Sequence, residues 1–172
     1  MAAPAPPATE PCPGCGLSYP PADGPAHAYI GASPACWARY GELLALEYSN
    51  PPMMRWHRLT VDSYTAQHPG VPGRQSAQSV HVHLAGLHLV LERGLDPPAV
   101  ARAMQRLADG RAHAWLEPPL LATAVGLPQA IAAAGTPAHG DAVRAWAEAV
   151  WGAWSEHHAL IRAEAEAALT SH

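Results

Sequence analysis

The three cysteines of the chain are spaced in a way that suits a metal ion. Cys12 and Cys15 form a C-x2-C pair, and Cys36 follows in a C-x20-C spacing. The proline and glycine inside the pair favour a tight turn that directs both thiolates at one centre. Ser33 and Pro34 are typical of a helix start, so Cys36 falls in the first helical turn, where free N–H groups favour a thiolate. The pattern therefore predicts a Zn²⁺ site in a zinc-knuckle-like segment at 12–37.

A structural zinc ion takes four sulfur or nitrogen ligands in a closed tetrahedron, so a fourth ligand is needed. His27 is the nearest candidate and completes a C-x2-C-x11-H-x8-C pattern, while His68 is the alternative fourth ligand. An open fourth position would instead bind water, as in catalytic zinc sites. Because three thiolates make the metal electron-rich and its water a weak acid, we expect the ion to be structural.

A thiol-redox protein that uses Cys12 and Cys15 is a weaker alternative. Three cysteines in a reducing compartment favour metal or redox chemistry over a disulfide scaffold. A redox C-x2-C motif normally opens a helix within a βαβ unit, and no such unit is predicted in this sequence.

Asp62, His68 and His83 form a second candidate group. Two predicted helices carry them, and the short loop between these helices favours antiparallel packing that brings the three residues together. Two imidazoles and a carboxylate can bind a metal or transfer protons, so a small metal-dependent hydrolase is the alternative function. In the structural interpretation, which we favour, His68 caps a helix end, His83 is a core histidine and Asp62 pairs with Arg58.

Capping residues and apolar spacing predict a mainly α-helical fold, a bundle of about five helices with the zinc-knuckle-like segment at its N-terminus. The predicted helices cover residues 34–49, 55–67, 76–93, 97–108 and 141–169, with a further short helix at 127–134. Residues 27–30 are predicted to form a short strand. The proline- and alanine-rich residues 1–11 are predicted to be a disordered lead-in, and residues 12–172 a single helical domain.

Two of the predicted helices carry aromatic stripes. Four residues recur at helical spacing in the first helix and are expected to face the core: Trp37, Tyr40, Leu44 and Tyr48. The last helix carries Trp146, Trp151 and Trp154, which are too many for one inward stripe. We therefore expect one of them to be exposed or covered by a partner, and predict a homodimer through the C-terminal helix.

Charge and hydropathy argue against two classes of partner, nucleic acids and membranes. The net charge is −4, and the arginines are scattered rather than clustered, which argues against a nucleic-acid binder. The first residues have neither the basic nor the apolar region of a signal peptide, and no apolar run is long enough to span a bilayer. We expect a soluble, cytoplasmic protein without a membrane partner, and no motif identifies a small-molecule substrate.

Four segments carry a family resemblance: CPGCG at 12–16, HAYIGASPACW at 27–37, HRLTVDSYTAQHPG at 57–70 and QSVHVHL at 78–84. Through them the chain resembles an uncharacterised bacterial family, known only as a domain of unknown function, whose motifs are CPGCG, HxYxGASPxCW and VDxYxxQHPG. The likeness covers about the first hundred residues well. It implies that eight residues belong to one recurring constellation: Cys12, Cys15, His27, Cys36, Asp62, Tyr64, His68 and His83. It implies no substrate and no mechanism.

Overall fold

The structure, a computed structural model, describes residues 8–109 and 112–170, and these residues are mainly helical. The helices are α1 (Pro34–Ser49), α2 (Pro51–Met54), α3 (His57–Gln67), α4 (Arg74–Leu91), α5 (Pro97–Ala108), α6 (Leu127–Ala133), α7 (His139–Ala153) and α8 (His158–Thr170). A single 3-10 turn, Ser155–His157, joins α7 to α8. Two-residue strands, β1 (Glu10–Pro11) and β2 (Ser18–Tyr19), pair in antiparallel fashion. The predicted mainly α-helical class is confirmed, although the described residues contain more helices than the five expected.

Two helices begin where their capping residues predict. The Ser33 hydroxyl accepts a hydrogen bond from the backbone N–H of Cys36 at 3.2 Å, and Pro34 is the first residue of α1. The Asp96 carboxylate accepts from the N–H of Ala99 at 2.8 Å, and Pro97 opens α5. In both cases the cap satisfies a backbone donor that has no partner within the helix, and proline occupies a position where its missing N–H is harmless.

Other helix boundaries differ from the prediction. The Asn50-Pro51-Pro52 sequence does end α1, but the chain enters α2 at once because proline fits the first turn of a helix. Helix α4 begins at Arg74, and the Ser76 hydroxyl donates to the Val71 carbonyl at 2.6 Å instead of capping the helix.

The predicted last helix is divided into α7 and α8. A straight helix over residues 141–169 would be about 43 Å long. The 3-10 turn breaks it, so that α7 packs against α3 and α6 while α8 packs against α4 and α5.

The N-terminal segment differs from the prediction in its strands. Residues 1–7 of the predicted lead-in lie outside the described residues, while Glu10 and Pro11 form β1. Residues 27–30 do not form the predicted strand; residues 28–30 form a bend shortly before α1. The short hairpin of β1 and β2 therefore precedes α1 and carries the C-x2-C pair in its loop.

Helix α3 lies at the centre of the bundle, against α4 and α7. Every residue from Asp62 to Gln67 is buried although most are polar, and neighbouring elements supply hydrogen bonds to several of them. For example, the Trp154 indole N–H donates to the Ala66 carbonyl at 3.0 Å, and that of Trp146 donates to the Gln67 side-chain oxygen at 2.9 Å. This packing fixes the C-terminal end of α3, where His68 lies.

The buried face of α1 is displaced from the predicted stripe. Tyr40 is buried, but Tyr48 is exposed and Glu47 is fully buried. The Glu47 carboxylate contacts His57 at 2.7 Å and His139 at 3.2 Å, and accepts a hydrogen bond from the Thr60 hydroxyl. Because α3 and α7 provide polar partners for its carboxylate, Glu47 is buried, and the inward face of α1 includes it.

The three tryptophans of the predicted last helix are all buried within the chain itself. Trp146 and Trp154 are inaccessible to solvent, and Trp151 is 6% exposed because it packs on α4 and α8 side chains. The expectation of an exposed tryptophan is wrong, so it no longer supports a homodimer, which stays a prediction. Within the two described ranges, each helix is too short or too polar to cross a bilayer.

Candidate metal centre

Four side chains from distant parts of the sequence converge at one end of the bundle. Cys12, Cys15, Cys36 and His68 each offer a ligand atom, and these atoms all lie within 4.8 Å of one another. The Cys15 and Cys36 sulfur atoms are 3.9 Å apart, and Cys36 Sγ is 3.5 Å from His68 Nε2. All four residues are at most 2% exposed. This Cys3His cluster is therefore a closed, buried set of soft donors.

The distances in the Cys3His cluster fit a tetrahedral ion. Zinc binds sulfur at about 2.3 Å and imidazole nitrogen at about 2.0–2.1 Å, which in a tetrahedron separates two sulfur atoms by about 3.8 Å and sulfur from nitrogen by about 3.6 Å. The observed separations of 3.9 Å and 3.5 Å are close to both values. None of the three cysteines, all of which are described, forms a disulfide. The residues present thus match a metal ion in donor type, number and spacing.

A tight hairpin loop holds the first two cysteines. The Cys12 N–H donates to the Leu17 carbonyl at 2.8 Å, and the Gly16 N–H donates to the Cys12 carbonyl at 2.9 Å. Gly16 has φ +72°, in the left-handed region that glycine adopts without steric cost. The loop closes over only a few residues, so both sulfur atoms project to the same side.

The start of α1 brings the third sulfur atom to the hairpin loop. Cys36 lies in the first turn of α1, and the cap residue Ser33 also contacts the cluster directly. The Ser33 N–H donates to Cys12 Sγ at 3.4 Å. A backbone donor to sulfur stabilises the thiolate form that a metal requires.

Two contacts orient the His68 ring toward the sulfur atoms. His68 Nδ1 lies 2.6 Å from the Tyr64 carbonyl oxygen, which can only accept, so Nδ1 carries a proton and Nε2 is the ring nitrogen that faces Cys36. A hydrogen bond from the second ring nitrogen to a backbone carbonyl is the usual arrangement for a metal-binding histidine.

The backbone around His68 is also fixed. The Gly31 N–H donates to the His68 carbonyl at 3.0 Å, and Gly70, at φ +76°, packs against the segment 29–31. A methyl carbon on Gly31 would lie 2.9 Å from Gly70 Cα, so these two loops approach too closely for any larger residue. The HAYIGASP and QHPG segments therefore meet face to face, and their contact positions His68.

Tyr64 completes the surroundings of the cluster. Its ring stacks between Tyr40 and His68, with ring centroids 3.7 Å and 4.0 Å away. Its hydroxyl donates to Cys36 Sγ at 3.5 Å. Burial, followed by the proximity of Cys36, raises the pKa of Tyr64 above its ordinary value, so the phenol keeps the proton that it donates.

The electrostatics of the cluster favour a cation. Hydrogen bonds from Cys15 and Cys36 lower the pKa of the Cys12 thiol well below its ordinary value. Burial acts to lower the pKa of His68, but hydrogen bonds with Cys12 and Cys15 outweigh it and raise this pKa to about 9. Hydrogen bonds with Cys12 and Cys15 in turn raise the pKa of Cys36, so the buried sulfur atoms share negative charge, which needs a positive partner there.

His27, the first choice for the fourth ligand, lies outside the Cys3His cluster. Its ring packs against Tyr29 and Trp37, with centroid distances of 4.4 Å and 5.2 Å, and its Nδ1 is 3.5 Å from the Tyr29 N–H. The structure instead brings in His68, the alternative ligand. Because Tyr64 lies one helical turn before His68, its carbonyl is within reach of the His68 ring, and this i, i+4 spacing is the local sequence feature that favours His68.

Asp62 and His83 form a separate pair. His83 Nδ1 lies 2.7 Å from Asp62 Oδ1, and Arg58 is 3.5 Å from the same oxygen. Asp62 is fully buried, whereas His83 lines a surface cavity of about 220 Å³ with Tyr29 and other residues. Among the described residues, the groups able to hold a metal do not combine Asp62, His68 and His83. His68 thus belongs to the cysteines and not to this pair.

A second group of potential metal ligands, not predicted from the sequence, consists of His81, His113 and Glu164. These residues come from α4, from the segment after α5 and from α8.

Comparisons with known proteins identify a family but no activity. A family model described as a family of unknown function (DUF5946) matches residues 10–155, so the chain belongs to this family. The match includes the Cys3His cluster and extends beyond the first hundred residues on which the resemblance rests. Neither a curated protein nor a solved structure matches the chain.

Proposed function

We propose that this chain is a zinc-binding helical protein of the cytoplasm, in which Cys12, Cys15, Cys36 and His68 hold a structural Zn²⁺ ion. The observation that carries the proposal is the closed, buried Cys3His cluster with tetrahedral spacing. Thiolate and imidazole donors in a tetrahedral set suit zinc, and four protein atoms leave no position for a substrate.

The proposed ion ties three separate elements together. It joins the hairpin loop, the start of α1 and the residue after α3, and it adds metal–ligand bonds to contacts such as the hydrogen bond from Gly31 to His68. Tyr64 orients the imidazole through its carbonyl and stabilises the Cys36 thiolate through its hydroxyl. The role of the metal is thus to hold the N-terminal segment on the bundle, as befits a binding or assembly protein.

A comparison of two histidine variants tests the ligand set. We expect the native protein to contain one zinc ion per chain at this cluster, and Cys36→Ser to release it. His68→Gln should weaken zinc binding by on the order of 100-fold, since loss of an outer hydrogen bond alone costs about 10–100-fold. His27→Gln is the matched control and should retain the ion. Zinc content by elemental analysis and affinity by competition with a chromogenic chelator provide the measurements. Full affinity in His68→Gln would overturn the proposal.

A second candidate function is a small hydrolase that uses Asp62 and His83, and one observation favours it. The buried Asp62 carboxylate contacts His83 Nδ1, which is the arrangement that orients a histidine for general-base catalysis. His83 also lines a surface cavity of about 220 Å³. We expect p-nitrophenyl acetate hydrolysis above background in the native chain, and its loss in both Asp62→Asn and His83→Gln. Equal rates in all three proteins would rule out this candidate.

The thiol-redox alternative gains no support. Disulfide exchange needs an accessible sulfur atom, and both Cys12 and Cys15 are only 2% exposed.

A further inference from the structure

The trio formed by His81, His113 and Glu164 lies where α8 packs on α4, away from the cysteines in sequence. The Glu164 carboxylate contacts both imidazoles: its Oε2 is 2.7 Å from His81 Nδ1, and its Oε1 is 3.9 Å from His113 Nδ1. The two rings are 4.5 Å apart between centroids. All three ligand atoms lie within 4.8 Å of one another, so one ion can contact them together.

Backbone carbonyls fix the protonation of both rings. His81 Nε2 lies 2.9 Å from the Ala114 carbonyl oxygen, and His113 Nε2 lies 2.9 Å from that of Leu107. A carbonyl oxygen can only accept, so each Nε2 carries a proton. In a neutral imidazole, Nδ1 then presents a lone pair, and both Nδ1 atoms face Glu164. In a metal-binding histidine, the ring nitrogen that does not bind the metal usually donates a hydrogen bond, often to a backbone carbonyl.

The trio combines buried imidazoles with a carboxylate that reaches solvent. The side chains of His81 and His113 are 1% and 2% exposed, while that of Glu164 is 21% exposed. An ion can therefore enter along the carboxylate. The exposed side is also where water or another small ligand could occupy the remaining coordination positions.

We propose that His81, His113 and Glu164 form a second metal site, which binds one divalent transition-metal ion through two Nδ1 atoms and a carboxylate. Two imidazoles and one carboxylate with open positions suit zinc or iron(II), and they differ in kind from the closed thiolate set. Ligands at about 2.1 Å from an ion lie about 3.0–3.4 Å apart, and the two observed separations of 2.7 Å and 3.9 Å bracket this range.

Cobalt titration of the metal-free full-length chain distinguishes the two sites. Co²⁺ bound by cysteines shows a thiolate-to-metal charge-transfer band, whereas Co²⁺ bound by the trio shows only weak ligand-field bands. We expect a second equivalent of Co²⁺ to bind without adding to the charge-transfer band. Glu164→Gln and His113→Gln should weaken this second equivalent by on the order of 100-fold, and leave the first unchanged.

His88→Gln is the matched control. His88 is also buried on α4 and forms a comparable pair with Glu92 at 2.8 Å, but it belongs to neither ligand group. This variant should bind both equivalents. Circular dichroism verifies that each variant is folded, and Glu164→Gln keeps the test decisive even where loss of a buried histidine unfolds the chain. Binding of a single equivalent that gives the full charge-transfer band, or retention of the second in Glu164→Gln, would mean that the trio is an imidazolium–carboxylate ion pair only.

Discussion

Gly14 offers a way to disturb the Cys3His cluster without changing any of its ligands. Gly14 lies between Cys12 and Cys15, and its φ is outside the left-handed region, so the backbone itself tolerates alanine. A methyl carbon at this position would lie 2.8 Å from His68 Cγ and closer still to Cδ2. Ordinary van der Waals contact begins near 3.4 Å, so Gly14→Ala must separate the loop from the ring by at least about 0.6 Å.

This displacement is large compared with the tolerance of a metal site. Metal–ligand distances usually remain within about 0.2 Å of their ideal values. The methyl group would also lie 2.8 Å from the Gly31 carbonyl oxygen, which prevents the loop from moving aside on that face. We therefore expect Gly14→Ala to lose the His68 ligand and to weaken zinc binding by on the order of 100-fold, or about 2.8 kcal/mol.

The assay is competition for Zn²⁺ between the protein and a chromogenic chelator, with Gly24→Ala as the control. Gly24 lies in the same N-terminal segment, but a methyl carbon there would have its nearest neighbour at 4.0 Å. The control should bind zinc like the native chain. Native affinity in Gly14→Ala would refute the assignment of His68 as fourth ligand, because the ring cannot remain in place beside the added methyl group.

Further predictions concern stability, measured by urea unfolding. Gly86→Ala places a methyl carbon 2.9 Å from a buried aspartate Cγ and should destabilise the fold by about 1–3 kcal/mol, whereas Gly41→Ala, with open space around it, should stabilise α1 by about 0.5–1 kcal/mol. Hydrogen bonding to Arg162 lowers the pKa of Glu92 far below its unfolded value of about 4.3. Ionised Glu92 therefore adds to the free energy of unfolding above about pH 4.3, and this stabilisation is lost as the pH falls below that value. Glu92→Gln should therefore be less stable than the native chain at pH 7, and the difference should shrink below about pH 4; a constant difference would contradict the linkage. Glu47→Ala leaves three neighbouring side chains without their carboxylate and should cost about 3 kcal/mol or more, and a loss below 1 kcal/mol would show that these contacts are dispensable.

Local signals explain which parts of the fold were predictable. Ser33-Pro34 and Asp96-Pro97 define helix starts through hydrogen bonds within a few residues, so the bounds of α1 and α5 follow directly from the sequence. The break between α7 and α8 was not visible, because it depends on which neighbours each half packs against.

Long-range packing explains what the sequence could not indicate. The choice of His68 over His27 for the cluster depends on the contact between Gly31 and Gly70, which joins segments far apart in sequence. The burial of Glu47 depends similarly on partners from α3 and α7. A helical periodicity argument treats a glutamate as solvent-facing, and it fails where other helices provide the hydrogen bonds.

The order of the cluster's residues along the chain has a consequence for biosynthesis. His68 follows Cys36 by 32 positions, so all three cysteines emerge from the ribosome well before His68. Under the proposed ligand set, an ion captured during translation has only three protein donors and stays exchangeable until α3 docks. Under that ligand set, tight retention of the ion reports that the central helix has reached its native position.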